Sequence, residues 1–222
     1  MGALESRIPE PELMDSEAQA LAYAKADFAD VNAAFVERLQ ARFPELRSGR
    51  VLDLGCGPAD ICLRLAQALP EVEILGVDGA EAMLAPGRAA LEGSGLEGRV
   101  RLERHLLPTT ALPGPFDAVI SNSLLHHLHD PAALWSTVRA ASRPGTAVLV
   151  VDLFRPSSTE AAAALVEEAA ADEDPILKED FYNSLLAAFT PDEVRAQLEA
   201  AGLAQLEVST ISERHLAIVG AI

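Results

Sequence analysis

The sequence predicts an α/β fold, a doubly wound, mostly parallel seven-stranded sheet with an antiparallel last strand. Three observations carry that expectation. Between residues 50 and 152, short β-branched or leucine-rich runs alternate with amphipathic helical stretches. Such alternation calls for parallel strands joined by right-handed helical crossovers, with helices on both faces of the sheet. The first of these runs ends in Gly55-Cys56-Gly57, where two near-adjacent glycines let the backbone turn tightly from strand to helix. Two strand-like runs with a short link close the chain, which predicts an antiparallel hairpin. With 222 residues, half of them hydrophobic, the chain can build a sizeable core as one domain over 1–222.

Residues 1–48 read as a helical cap. Ser16 followed by Gln19 has capping-box spacing and opens a helix reaching roughly Phe28. A second helix carries Val31, Phe35, Leu39 and Phe43 on one face until Pro44 stops it. The core spans 49–156, with strands over 50–54, 73–77, 100–103, 116–120 and 146–152. Helices over 60–69, 80–91 and 131–142 fall between them, the last with Pro131 as its first residue. At Pro156 the alternation breaks. Residues 157–189 read as a helical insertion, in pieces over 157–171 and 178–188, lying over the C-terminal ends of the strands. Residues 190–222 hold a helix started by Thr190-Pro191 and stopped by Gly202, then strands near 205–211 and 215–220.

Thirty-four acids against seventeen bases give a net charge of −17, which repels a phosphate backbone and argues against a nucleic-acid partner. The excess is uneven: −3 over 1–50, −4 over 51–156 and −10 over 157–222. Two cysteines cannot staple a secreted scaffold, and no Cys/His spacing reads as a zinc site. The apolar runs are too short to cross a bilayer, and the first nineteen residues lack the pattern of a signal peptide. A cytoplasmic protein without a membrane partner is expected.

The glycine turn says more about the ligand. A dinucleotide fingerprint would place a third glycine at position 60, where this chain has Asp60. A pyrophosphate at that helix N-terminus would meet both Asp53 and Asp60, so the acids suit a ligand with a positive group instead. Twenty-one residues past Gly57, Asp78 ends the second strand, where a carboxylate can accept two hydrogen bonds from a ribose diol. A ribose, a cationic end and no phosphate together describe S-adenosylmethionine.

The ordered segments VLDLGCGPADI (51–61), GVDGAEAML (76–84), FDAVISNSLLHHLHDP (116–131) and RPGTAVLVVD (143–152) resemble the motifs of class I S-adenosylmethionine-dependent methyltransferases, whose fold is Rossmann-like. The resemblance implies transfer of a methyl group to a small-molecule acceptor, with S-adenosylhomocysteine as product. It implies that Asp53, Gly55, Cys56 and Gly57 shape the methionine pocket and that Asp78 holds the ribose. Gly79 and Met83 would lie against the adenine. His105 and Leu106 match the loop where such enzymes often have an Asp reaching the adenine amino group. With His105 in its place, only the Leu106 backbone is a secure contact. Asn122 would sit beside the methionine end. The Asn/Asp-Pro-Pro-aromatic tetrad of nucleic-acid amino methylation is absent here.

For the acceptor, His126, His127 and Tyr182 are the candidate catalytic residues, as general bases. Tyr23, Phe28, Asp152 and Asn183 are the candidate pocket residues. No metal site is expected in the His126–His129 run, because adjacent helical positions do not face each other. Cys56 and Cys62 read as packing residues and Trp135 as core. Two competing readings remain. A nicotinamide-dependent oxidoreductase is disfavoured by Asp53 and Asp60. A non-catalytic cofactor-binding regulator is opposed by the polar residues gathered for the acceptor.

Overall fold

The computed structural model describes residues 4, 6–16, 19, 23, 28–171 and 173–222. The helix expected over 16–28 falls largely outside them, although Gln19 N donates to Ser16 Oγ at 3.3 Å as the capping spacing implies. Seven strands form one sheet in the order β3-β2-β1-β4-β5-β7-β6. They are β1 (Ser48–Leu54), β2 (Glu71–Asp78), β3 (Val100–Arg104), β4 (Ala118–Asn122), β5 (Ala147–Leu153), β6 (Glu207–Thr210) and β7 (His215–Ala221). The first five are mutually parallel, β7 runs antiparallel to β5, and β6 and β7 form the expected antiparallel hairpin.

Seven helices accompany the sheet among the described residues: α1 (Ala29–Arg42), α2 (Asp60–Ala68), α3 (Glu81–Leu91), α4 (Ala132–Ala141), α5 (Thr159–Ala169), α6 (Pro175–Ala187) and α7 (Pro191–Ala200). Alternate strand residues face opposite layers. Val51, Ile74, Ile120 and Leu149 pack with Phe35, Leu39, Ile61, Leu65 and Leu84 from α1, α2 and α3. Leu52, Leu75, Val119 and Val148 pack with Leu134, Trp135, Val194 and Leu198 from α4 and α7. All seven residues of β5 are buried, as a strand covered on both faces requires. Trp135 Nε1 donates to Gln197 Oε1 at 3.0 Å, tying α4 to α7. No helix among the described residues is long and apolar enough to cross a membrane.

Element ends moved where local chemistry outweighed apolarity. The fourth strand was expected over 116–120 and runs two residues later, because Phe116 is buried beneath the sheet with its N–H on Ala141 O at 2.8 Å. The second insertion helix starts at Pro175 rather than 178, since the Asp174 side chain accepts from Ile176 N and caps it. Residues 6–16 are not helical. Pro9 and Pro11 bias this stretch to an extended backbone, so the first part of the cap is a strap rather than a helix. Ile8 N bonds Leu186 O at 2.9 Å, which fastens the strap to α6.

Candidate active site

The strand order reverses between β1 and β4, and their C-terminal ends bound the crevice where open α/β sheets hold ligands. On the β1 side, the turn after Leu54 adopts positive φ at Gly55 (+73°) and Gly57 (+51°). A Cβ at Gly55 would come within 2.9 Å of the Leu124 side chain, and one at Gly57 would meet Met83 Cε at 3.4 Å. Gly55 therefore packs directly on Leu124, and both glycines hold the left-handed backbone that this tight turn needs. The Asp78 carboxylate accepts from Gly57 N at 2.9 Å and Ala80 N at 2.8 Å, coupling the end of β2 to the turn. Burial raises the Asp78 pKa against these bonds. Asp53 is buried under the turn, accepts the Cys62 thiol at 3.2 Å, and is pushed up to about 7 by burial.

Met83 and Ala80 pack with Met14 and Tyr23. Burial, reinforced by the nearby Asp78 carboxylate, pushes the Tyr23 phenol up to about 12. Its ring lies 4.6 Å from that of Phe28. Tyr23, expected at the acceptor, thus stands beside the β2 end and the glycine turn, with Phe28 next to it. Gly79 faces Leu106, whose Cδ2 is 3.0 Å from where a Cβ would stand, and Leu13 at 2.8 Å. The His105 ring turns to Glu103, with Nε2 3.1 Å from Oε2. Asn122 ends β4 next to Ser123, which has φ +55°.

The β4–β5 side holds a second cluster. His126 sits on a 3-10 turn (Leu125–His127) and is 2% exposed, and Asp152 is 1% exposed. His126 Nδ1 and Asp152 Oδ1 are 2.6 Å apart. Asp152 also accepts from Leu125 N and Leu153 N, each at 2.7 Å. Burial alone would lower the His126 pKa, but the Asp152 and Glu10 carboxylates outweigh it and raise it. The same pairing holds Asp152 below its ordinary value despite burial. Burial, with His126 beside it, pushes His127 down to about 3.

Three members of this cluster were not visible in the sequence. Glu10 places Oε1 3.2 Å from His127 Nδ1 and 3.7 Å from His126 Nε2. Ser184 Oγ donates to the same oxygen at 3.0 Å. Arg7 donates to the carbonyls of Ala187, Leu128 and His126 at 2.7, 2.9 and 2.6 Å, with its guanidinium 4.0 Å from the Phe189 ring centre. The available signal for Glu10 was its place between Pro9 and Pro11, which excludes a helix and leaves a carboxylate on an extended strap. Tyr182 packs in the apolar cluster of Leu153, Ala162 and Leu185, while Asn183 is half-buried on α6. Ser184, the next residue along, is the one bonded into the histidine cluster.

Residues 52–148 match the family model described as a methyltransferase domain. The matched stretch is 97 of the 222 residues and carries the glycine turn and the ordered motifs that follow it. Over 123 residues the chain is 34% identical to trans-aconitate 2-methyltransferase of Deinococcus radiodurans, covering 55% of this chain and 45% of that protein. Over 114 residues it is 34% identical to the ubiquinone/menaquinone biosynthesis C-methyltransferase UbiE of Geobacter sulfurreducens, covering 50% and 44%. It spans a little under half the length of these two curated relatives. Among solved structures, a SAM-dependent methyltransferase from Aquifex aeolicus superposes with a TM-score of 0.67 at 14% identity, over 92% of this chain and 97% of that one. The last comparison speaks for the fold.

Proposed function

We propose that this chain transfers the sulfonium methyl group of S-adenosylmethionine to a small-molecule acceptor by in-line displacement, releasing S-adenosylhomocysteine. The observation that carries the reading is the acid-flanked glycine turn at the strand-order reversal, coupled to Asp78 through the Gly57 N–H. Its donor set fits the cofactor. Asp53 and Asp78 complement a cationic amino acid and a ribose diol, and Gly55 and Gly57 supply the left-handed backbone of the turn between them. When bound, the sulfonium supplies an electrophilic methyl and its own leaving group.

The protein's part is alignment and exclusion of water. Asp78, Gly79 and Met83 hold the nucleoside, with Leu106 at the rim. Asp53, Gly55, Cys56, Gly57 and Asn122 hold the methionine end. Tyr23, Phe28 and Leu13 cover the nucleoside side. Asp152 and His126 form the polar wall on the acceptor side, beside the Tyr182-Asn183 segment of the 157–189 insertion. Where the acceptor must lose a proton, His126 is the better base, since Asp152 fixes its Nδ1 and raises its pKa. His127, pushed down to about 3, is a weak one.

A small acceptor in the cytoplasm agrees with the charge of −17, which disfavours nucleic acid. It also agrees with relatives whose names denote methylation of trans-aconitate and a step of quinone biosynthesis. Thermal-shift titration with S-adenosylmethionine, S-adenosylhomocysteine and NAD tests the ligand. The two sulfur compounds should raise Tm and NAD should not. Stabilisation by NAD alone would overturn the reading. Methyl release to thiols, phenols, amines and carboxylates should then find an acceptor class, and none accepting would leave the regulator reading.

A further inference from the structure

The cluster of Glu10, His126 and His127 uses two chain segments more than 110 residues apart to bring one carboxylate and two imidazoles together. Each offers one ligand atom, and all three atoms lie within 4.8 Å of one another. The two separations from Glu10 Oε1, 3.2 and 3.7 Å, bracket the ligand–ligand spacing of about 3.4 Å that a tetrahedral ion with bonds near 2.0–2.1 Å requires. We propose that Glu10, His126 and His127 form a binding site for one divalent first-row transition-metal ion, Zn²⁺ or a chemically similar cation.

Two further observations point to a ligand rather than to a simple ion pair. The first is the back side of His126. Its Nδ1 is fixed by Asp152, which is itself held by the N–H groups of Leu125 and Leu153. A carboxylate behind one ring nitrogen fixes tautomer and ring direction, and it makes the opposite nitrogen a better metal ligand. That opposite nitrogen, Nε2, faces Glu10. The second is His127 Nδ1. It is buried and has no hydrogen-bond partner among the described residues, although Glu10 Oε1 lies 3.2 Å away out of alignment. A buried nitrogen without a partner is costly, and a cation between the three groups would satisfy it.

The supports are also built. Ser184 Oγ steadies Glu10 Oε1, and Arg7 clamps the His126 and Leu128 carbonyls of the turn. His129 adds a ring nitrogen 2.7 Å from the Glu10 carbonyl. An N₂O donor set suits Zn²⁺, Fe²⁺, Ni²⁺ or Mn²⁺ better than Ca²⁺ or Mg²⁺, which prefer all-oxygen shells. Three protein ligands leave positions for water or for an oxygen of the bound acceptor. That last role rests on the methyltransferase reading; metal binding itself does not. In the loaded protein both imidazoles serve as ligands, so the ion replaces His126 as the group that acts on the acceptor.

The test uses the full chain, stripped with a chelator and then titrated with Co²⁺ and with Zn²⁺. Expected are one ion per chain, visible d–d bands from Co²⁺, and dissociation constants raised at least about tenfold in Glu10→Gln, His127→Ala and Asp152→Asn. X-ray absorption of the Zn²⁺-loaded wild-type chain needs no variant and should show two imidazoles at about 2.0 Å. Absence of binding at micromolar ion, an absorption spectrum without imidazole, or unchanged affinity in folded Glu10→Gln and His127→Ala would overturn the proposal. S-adenosylhomocysteine affinity, measured on the same stripped sample, reports on the cofactor reading separately.

Discussion

Asp53 is a carboxyl group placed where its charge costs most, buried beneath the glycine turn with a thiol as its hydrogen-bond donor. Its pKa of about 7 in the folded chain compares with 3.8 for an ordinary aspartate. The folded state therefore holds a proton that the unfolded state releases. Stability from this group is full below about pH 4 and is lost as pH rises through about 7. The shift corresponds to roughly 4 kcal/mol, an upper figure, since a buried site relaxes. Asp53→Asn should accordingly raise the Tm of the ligand-free protein at pH 8 and leave it little changed at pH 4, while weakening cofactor binding. Melting curves of both proteins across pH 4–8 check this; a variant destabilised equally at every pH contradicts it. At this scale the sequence was legible where a residue sits on a motif. Asp53, Gly55, Gly57 and Asp78 could be placed because strand-to-turn spacing fixes them relative to one another. Glu10, Arg7 and Ser184 could not, since their partners lie more than 110 residues away in the chain.

The N-terminal strap is the element that joins the two halves of the site. Leu13 lies against Gly79, Met14 against Ala80 and Met83, and Glu10 against His126 and His127. Leu4 N and Ile8 N bond Ser157 O and Leu186 O, so the strap also grips the insertion. Removing residues 1–28 should lower Tm and weaken S-adenosylhomocysteine binding at least about tenfold, a loss of roughly 1.4 kcal/mol. Calorimetry on the truncated chain measures this, and unchanged affinity with unchanged turnover would show that the strap is not part of the site. Hydrophobic period and capping residues made α1 through α4 and α7 legible, with Thr190 and Glu193 forming the capping box of α7. The strap escaped because an extended segment held by side-chain bonds has no periodicity to read. The insertion helices were found, but α6 has apolar residues around much of its circumference, so pattern alone did not show that Ser184 would meet Glu10 while Tyr182 packed apolar.

For the molecule as a whole, the doubly wound, mostly parallel sheet with a core on each face followed from alternation, since β1, β2, β4 and β5 carry apolar residues to both faces. The charge of −17 looked like a property of the entire chain. More than half of it belongs to residues 157–222, away from the glycine turn. Residues 51–156 carry only −4, and two of their acids, Asp53 and Asp78, lie at the C-terminal ends of β1 and β2. On the function proposed above, those acids and the glycine turn form an S-adenosylmethionine pocket. Isothermal titration of S-adenosylhomocysteine into the wild-type chain and into Asp78→Ala tests it most directly. Expected are one site per wild-type chain and an affinity at least about tenfold weaker in the variant, about 1.4 kcal/mol. No binding to the folded wild-type chain, or equal affinity in both proteins, would contradict it.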